Sequence, residues 1–83
     1  MKREIEFKME IDYPEMTEGR DVEVEESYLQ DGLVVYYTII PSIAMSGNFR
    51  RQEALSNMRG IIRKRTFDGL AYYLTVEFDE PDD

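Results

Sequence analysis

Ile5, Phe7, Met9, Ile11 and Tyr13 alternate with Glu4, Glu6, Lys8, Glu10 and Asp12. Five consecutive period-2 repeats commit this stretch to an extended strand with one apolar and one charged face. Pro14 cannot donate to a ladder and ends the run, and Gly19 marks the loop beyond it. A second strand is predicted over Asp21-Val22-Glu23-Val24-Glu25-Glu26-Ser27-Tyr28-Leu29. Asp31-Gly32 follows, the residue pair that a type I′ hairpin turn favours because both central residues need positive φ.

A two-residue turn there fixes register. It sets Tyr28 opposite Val35, Glu26 opposite Tyr37 and Val24 opposite Ile39, all on one face with Leu33. The third strand, Leu33 to Ile40, is apolar on both faces and rich in β-branched and aromatic residues, as in a strand covered on both sides. After Asp68-Gly69 a fourth strand is predicted, with Leu70, Tyr72, Leu74, Val76 and Phe78 on its core face.

Between them lies Pro41 to Arg65, where a helix is predicted. Ala54, Leu55, Met58, Ile61 and Ile62 recur at three- and four-residue spacing. Asn48 is a candidate N-cap, and Arg63, Lys64 and Arg65 suit a helix C-terminus. Gly60 weakens a helix interior by roughly 0.5–1 kcal/mol, so its expected use is close approach to the sheet. The expected fold class is α+β: a two-layer domain in the order β-β-β-α-β, with one helix on a four-stranded antiparallel sheet. The expected division is one domain over 1–79 and an acidic tail over 80–83.

Charge is segregated. The 83 residues carry a net −8, yet 49–65 hold six of the ten cations and only one acid, Glu53. An acidic surface steers a protein toward basic partners and disfavours phosphates. No apolar run is long enough to cross a bilayer. Met1-Lys2-Arg3-Glu4 opens an alternating strand and not a signal-peptide block, so a cytoplasmic location is expected.

With no cysteine and no histidine, thiol nucleophiles, imidazole bases and the usual zinc ligands are missing. No pair of carboxylates stands out from the general acidity, no phosphate-cradling glycine loop occurs, and Asp79 to Asp83 lack the pattern of a calcium loop. No catalytic residue, metal ligand or cofactor site is assigned. Arg50, Arg51, Arg59, Arg63, Lys64 and Arg65 are read as balancing the acidic strands. A single helix leaves one sheet face open. On that face Val34, Tyr36, Ile40 and Tyr73 lie among Glu23 and Glu25, an apolar patch rimmed by acids. Glu23, Glu25, Glu26, Val34, Tyr36, Ile40 and Tyr73 form the expected partner-binding set.

Residues 22–62 resemble the HicB family of antitoxins. The segment VEVEESYLQDGLVVYYTIIP is similar to that family's hairpin with an acidic Asp-Gly turn and terminal Pro. Glu53-Ala54-Leu55-Ser56-Asn57 is similar to its E-A-L-x-N helix start, followed by apolar Ile61 and Ile62. The loop from Pro41 to Glu53 is shorter than the family's, its T-x-G-[DN]-[ST] segment is reduced to Met45-Ser46-Gly47-Asn48, and an extra strand precedes the hairpin. The resemblance implies an RNase-H-like or double-stranded-RNA-binding-like α+β fold, partner binding and self-association. The DNA-binding domain that many relatives carry is not expected, and operator binding is not implied.

The resulting expectation is a small acidic module that binds without catalysis. It would act as an antitoxin or inhibitor that neutralises a basic protein, either a toxin or a nucleic-acid-binding protein. A phage-type anti-defence protein mimicking nucleic acid is the first alternative, and a structural homodimer the second. Homodimerisation is expected; direct nucleic-acid or membrane contact is not.

Overall fold

The computed structural model describes residues 1–41 and 43–81. Seven antiparallel strands account for most of it: β1 (Lys2–Met9), β2 (Asp21–Leu29), β3 (Val34–Ile39), β4 (Ala44–Ser46), β5 (Phe49–Arg50), β6 (Arg59–Phe67) and β7 (Tyr72–Asp79). Six of them close on themselves. β1 pairs with β7 from Lys2↔Asp79 to Met9↔Tyr72, β7 with β6, β6 with β2 and β2 with β3. Short β4 then bridges β3 to β1 through Ile39↔Ala44, Thr38↔Met45, Lys8↔Met45 and Phe7↔Ser46. The ring β1–β7–β6–β2–β3–β4 is a small barrel, and β5 adds a two-residue flap beside Val34 and Val35.

Alternation now has a simple meaning: one face of each strand becomes the lumen, the other the outer wall. Ile5, Phe7 and Met9 of β1, Val22 and Val24 of β2, Val35, Tyr37 and Ile39 of β3, Ile62 of β6 and Leu74, Val76 and Phe78 of β7 fill the interior. At one end the loop after β1 inserts Met16, and at the other Leu55 packs into the same cluster.

The predicted α+β fold, with its four-stranded sheet and covering helix, is overturned. Among the described residues the only helical pieces are two three-residue 3-10 turns, Gln30–Gly32 and Arg51–Glu53. A sheet that curls into a barrel supplies the cover for its own inner face, so no helix is required. Within the predicted helix, Asn48 lies exposed between β4 and β5, with no helix to cap. The Glu53 side chain accepts from the Arg50 backbone N–H at 3.0 Å and closes a single turn. Ala54 then turns extended at ψ 148.

From Arg59 the chain is strand, hairpinned to β7 through the Asp68-Gly69 turn, in which the Asp68 side chain accepts from the N–H groups of Leu70 and Ala71. Gly60 does serve close approach, but of strand to strand. A Cβ there would stand 2.7 Å from Val76 Cγ1 and 2.8 Å from the Glu77 carbonyl oxygen. The spacing of Leu55, Met58, Ile61 and Ile62 fitted a helical stripe by coincidence. β-Branched Ile61 and Ile62 and the pairing of a nine-residue strand with β7 and β2 override it.

Smaller departures share one cause, the position of the barrel rims. Ile11 and Leu70, expected on the core face, lie past the ends of β1 and β7 and are 63% and 89% exposed. Glu80 was assigned to the tail, yet it is tied in. Its N–H donates to the Met1 carbonyl at 2.8 Å, and its carboxylate accepts from the backbone of Ser56 and Asn57. Asp82 and Asp83, the rest of the predicted tail, lie outside the described residues. Among the described residues no helix is long and apolar enough to cross a membrane.

Candidate functional site on the outer face of the β2–β3 hairpin

The hairpin forms as its turn chemistry requires. Asp31 (φ 56) and Gly32 (φ 87) both take left-handed backbone, and the Leu33 N–H donates to the Gln30 carbonyl at 3.1 Å. Val24 faces Ile39, Glu26 faces Tyr37 and Tyr28 faces Val35, the register expected from sequence. The complementary residues point outward in cross-strand rows: Leu29 with Val34, Ser27 with Tyr36, Glu25 with Thr38. The Ile40 N–H donates to the Glu23 carbonyl at 3.1 Å and adds a final row.

From turn to base this outer ribbon passes from apolar to acidic. Leu29, Val34 and half-buried Tyr36 lie above, and Ile40, Glu25 and Glu23 below. Neither Glu23 nor Glu25 has an ion-pair partner among the described residues, although Arg59 stands opposite Glu23 in register. Like the acids on the outer face of β1, Glu4 and Glu6, they offer uncompensated charge to solvent.

Five residues of the expected set therefore share this ribbon: Glu23, Glu25, Val34, Tyr36 and Ile40. The barrel separates the other two from it. Tyr73 is outward on β7, between Lys8 of β1 and Thr66 of β6, three strands from β3 whichever way the ring is followed. It shares an outer wall with Tyr36 in name only.

Glu26 turns inward. Its carboxylate accepts from the Tyr28 hydroxyl at 2.5 Å and from the Tyr37 hydroxyl at 2.7 Å, while the Tyr37 oxygen accepts the Leu55 N–H at 2.6 Å. Burial, reinforced by the hydrogen bond to Glu26, pushes the Tyr37 phenol up to about 12. The hydrogen bond to Glu26 also raises Tyr28. Glu26 is thus joined through Tyr37 to Leu55 of the 54–58 loop.

Leu29 and Leu33 were missed as surface residues. Leu33 has the parity of the core face, but it stands at the turn, beyond the lumen, and is 68% exposed. Ser27 and Thr38 were overlooked because hydroxyls on a strand carry no pattern of their own.

The cations are divided. Arg63 pairs with Glu77 at 3.3 Å. Arg65 donates to the carbonyls of Tyr13 and Met16, both at 2.9 Å, and to Asp12 at 2.7 Å, with its guanidinium 4.5 Å from the Tyr72 ring centroid. Arg51 lies 6.0 Å over Tyr28. Arg50, Arg59 and Lys64 make no ion pair among the described residues. In the same residues no group of three or more acidic side chains converges as a metal site would require.

No protein-family model, no curated protein and no solved structure matches the chain.

Proposed function

We propose that this chain is a small acidic binding module that acts in the cytoplasm by covering a basic protein partner, as an antitoxin or inhibitor does, without turnover. The reading is carried by the β2–β3 ribbon, where Glu23 and Glu25, which make no ion pair among the described residues, stand beside Tyr36, Val34 and Ile40. An apolar centre supplies the area to be buried and the carboxylates supply steering and orientation. The segments similar to HicB antitoxins fold here as this hairpin and as the last residue of a 3-10 turn with the loop after it, so the mode of action is proposed without the α+β frame.

A second reading has its own observation. Asp21, Glu23 and Glu25 are outward on one strand at two-residue intervals, about 7 Å apart for extended chain, and none of them is ion-paired among the described residues. Such a line of charge can stand in for phosphates on a nucleic-acid-binding target.

One titration separates them. Binding of basic test proteins, a nucleic-acid-binding protein among them, is measured by calorimetry at low and moderate salt, with E23K/E25K and Tyr36→Ser variants. Protein-surface recognition predicts loss of roughly tenfold or more in affinity for each variant. Mimicry predicts that E23K/E25K abolishes binding, that Tyr36→Ser does little, and that nucleic acid competes. Binding indifferent to salt and to E23K/E25K would refute both.

A further inference from the structure

At the base of the ribbon the outer wall is notched. Glu25, Ser27, Thr38, Ile40 and Pro41 line an open depression of about 510 Å³. Its chemistry is one-sided. Glu25 has no ion pair, and the side-chain hydroxyls of the half-buried Ser27 and Thr38 have no hydrogen-bond partner among the described residues. Ile40 and Pro41 form an apolar wall beside these oxygens. Among the described residues no lysine or arginine lines the notch, so any cation must come from outside.

We infer that this notch seats an arginine side chain of the basic partner; the inference rests on the reading of the ribbon as the partner surface. Three acceptor groups lie on two adjacent strands, Glu25 directly opposite Thr38 and Ser27 two residues along. A planar guanidinium carries five N–H donors in a fixed fork and reaches a carboxylate and flanking hydroxyls together. An ammonium is a compact, strongly hydrated point charge that gives up more water to enter. The methylene stem of arginine lies against Ile40 and Pro41 while its head remains among the oxygens. A phosphate or an acidic peptide is excluded by the same lining, which presents Glu25 and no cation.

The test is an amide NMR titration of the intact chain with hexa-arginine and hexa-lysine peptides. The notch predicts shifts centred on Ser27, Thr38 and Ile40, with hexa-arginine binding about fivefold more tightly than hexa-lysine. Ser27→Ala/Thr38→Val should bring the two peptides level, and Glu25→Gln should weaken both. Unchanged amide positions for Phe7 and Val76 verify that each variant is folded. Equal affinities in the unsubstituted chain, or shifts centred on Glu4 and Glu6, would overturn the notch and leave a diffuse acidic binder. Absence of shifts with both peptides would remove the notch and the basic-partner reading together.

Discussion

The Tyr37 hydroxyl donates to the Glu26 carboxylate across 2.7 Å, and these two residues also face each other in the β2–β3 ladder. The same oxygen accepts the N–H of Leu55, so one phenol links hairpin, carboxylate and loop inside an otherwise apolar lumen. Tyr37→Phe keeps the ring and strands two polar groups, the Leu55 N–H and a Glu26 oxygen. The expected loss is about 1–3 kcal/mol. Chemical denaturation measures it, and faster hydrogen exchange at Leu55 locates it.

The same phenol sets an alkaline limit. Tyr37 holds its proton to about 12 in the folded state against 10.0 when free. Between those values the native state binds more protons than the unfolded state, so stability falls as pH rises. The contribution is complete below pH 10 and is lost on approaching pH 12. Unfolding curves taken at successive alkaline pH values should show the decline, and Tyr37→Phe should lack this component.

Gly60 allows β6 to lie directly against β7. Gly60→Ala would place a methyl 2.7 Å from Val76 Cγ1, 2.8 Å from a backbone oxygen and 3.0 Å from Phe78 Cδ1. Backbone cannot yield as a flexible side chain would. The expected cost is about 1–3 kcal/mol, and each kcal/mol lowers Tm by roughly 4–8 °C in a domain of this size. A thermal melt showing no change would mean that the strands separate freely there.

Arg65 fastens the loop between β1 and β2. Its guanidinium meets two carbonyls and Asp12, and the cation lies over Tyr72. Arg65→Met keeps a long apolar stem and removes every donor. Loss of about 1–3 kcal/mol is expected, with faster proteolysis of residues 12–18. Arg65→Lys should restore only part of it, since one ammonium cannot match a fork that reaches three acceptors.

The hairpin and its register were legible because Asp31-Gly32 and alternation are local signals. Ile5, Phe7 and Met9 were legible for the same reason. β6 was not. Leu55, Met58, Ile61 and Ile62 fit the helical period, and the decision lay in Asp68-Gly69, a hairpin turn that demands a strand before it as well as after it. Closure of the barrel leaves no mark on the alternation, because an open sheet and a ring alternate alike. That is why Tyr36 and Tyr73 were grouped, and why Glu26, which has the parity of the core, could be taken for a surface acid.

The ring is not uniformly strong. β1 and β7 match over eight residues, whereas β4 holds β1 by two pairs and β3 by two. Release of those three residues would leave β1–β7–β6–β2–β3 as one unbroken five-stranded sheet with two newly bared edges. The barrel thus has a built-in line of opening. At high concentration or under mild denaturant, exchange of strands between copies should begin there, with the rest of the fold still standing.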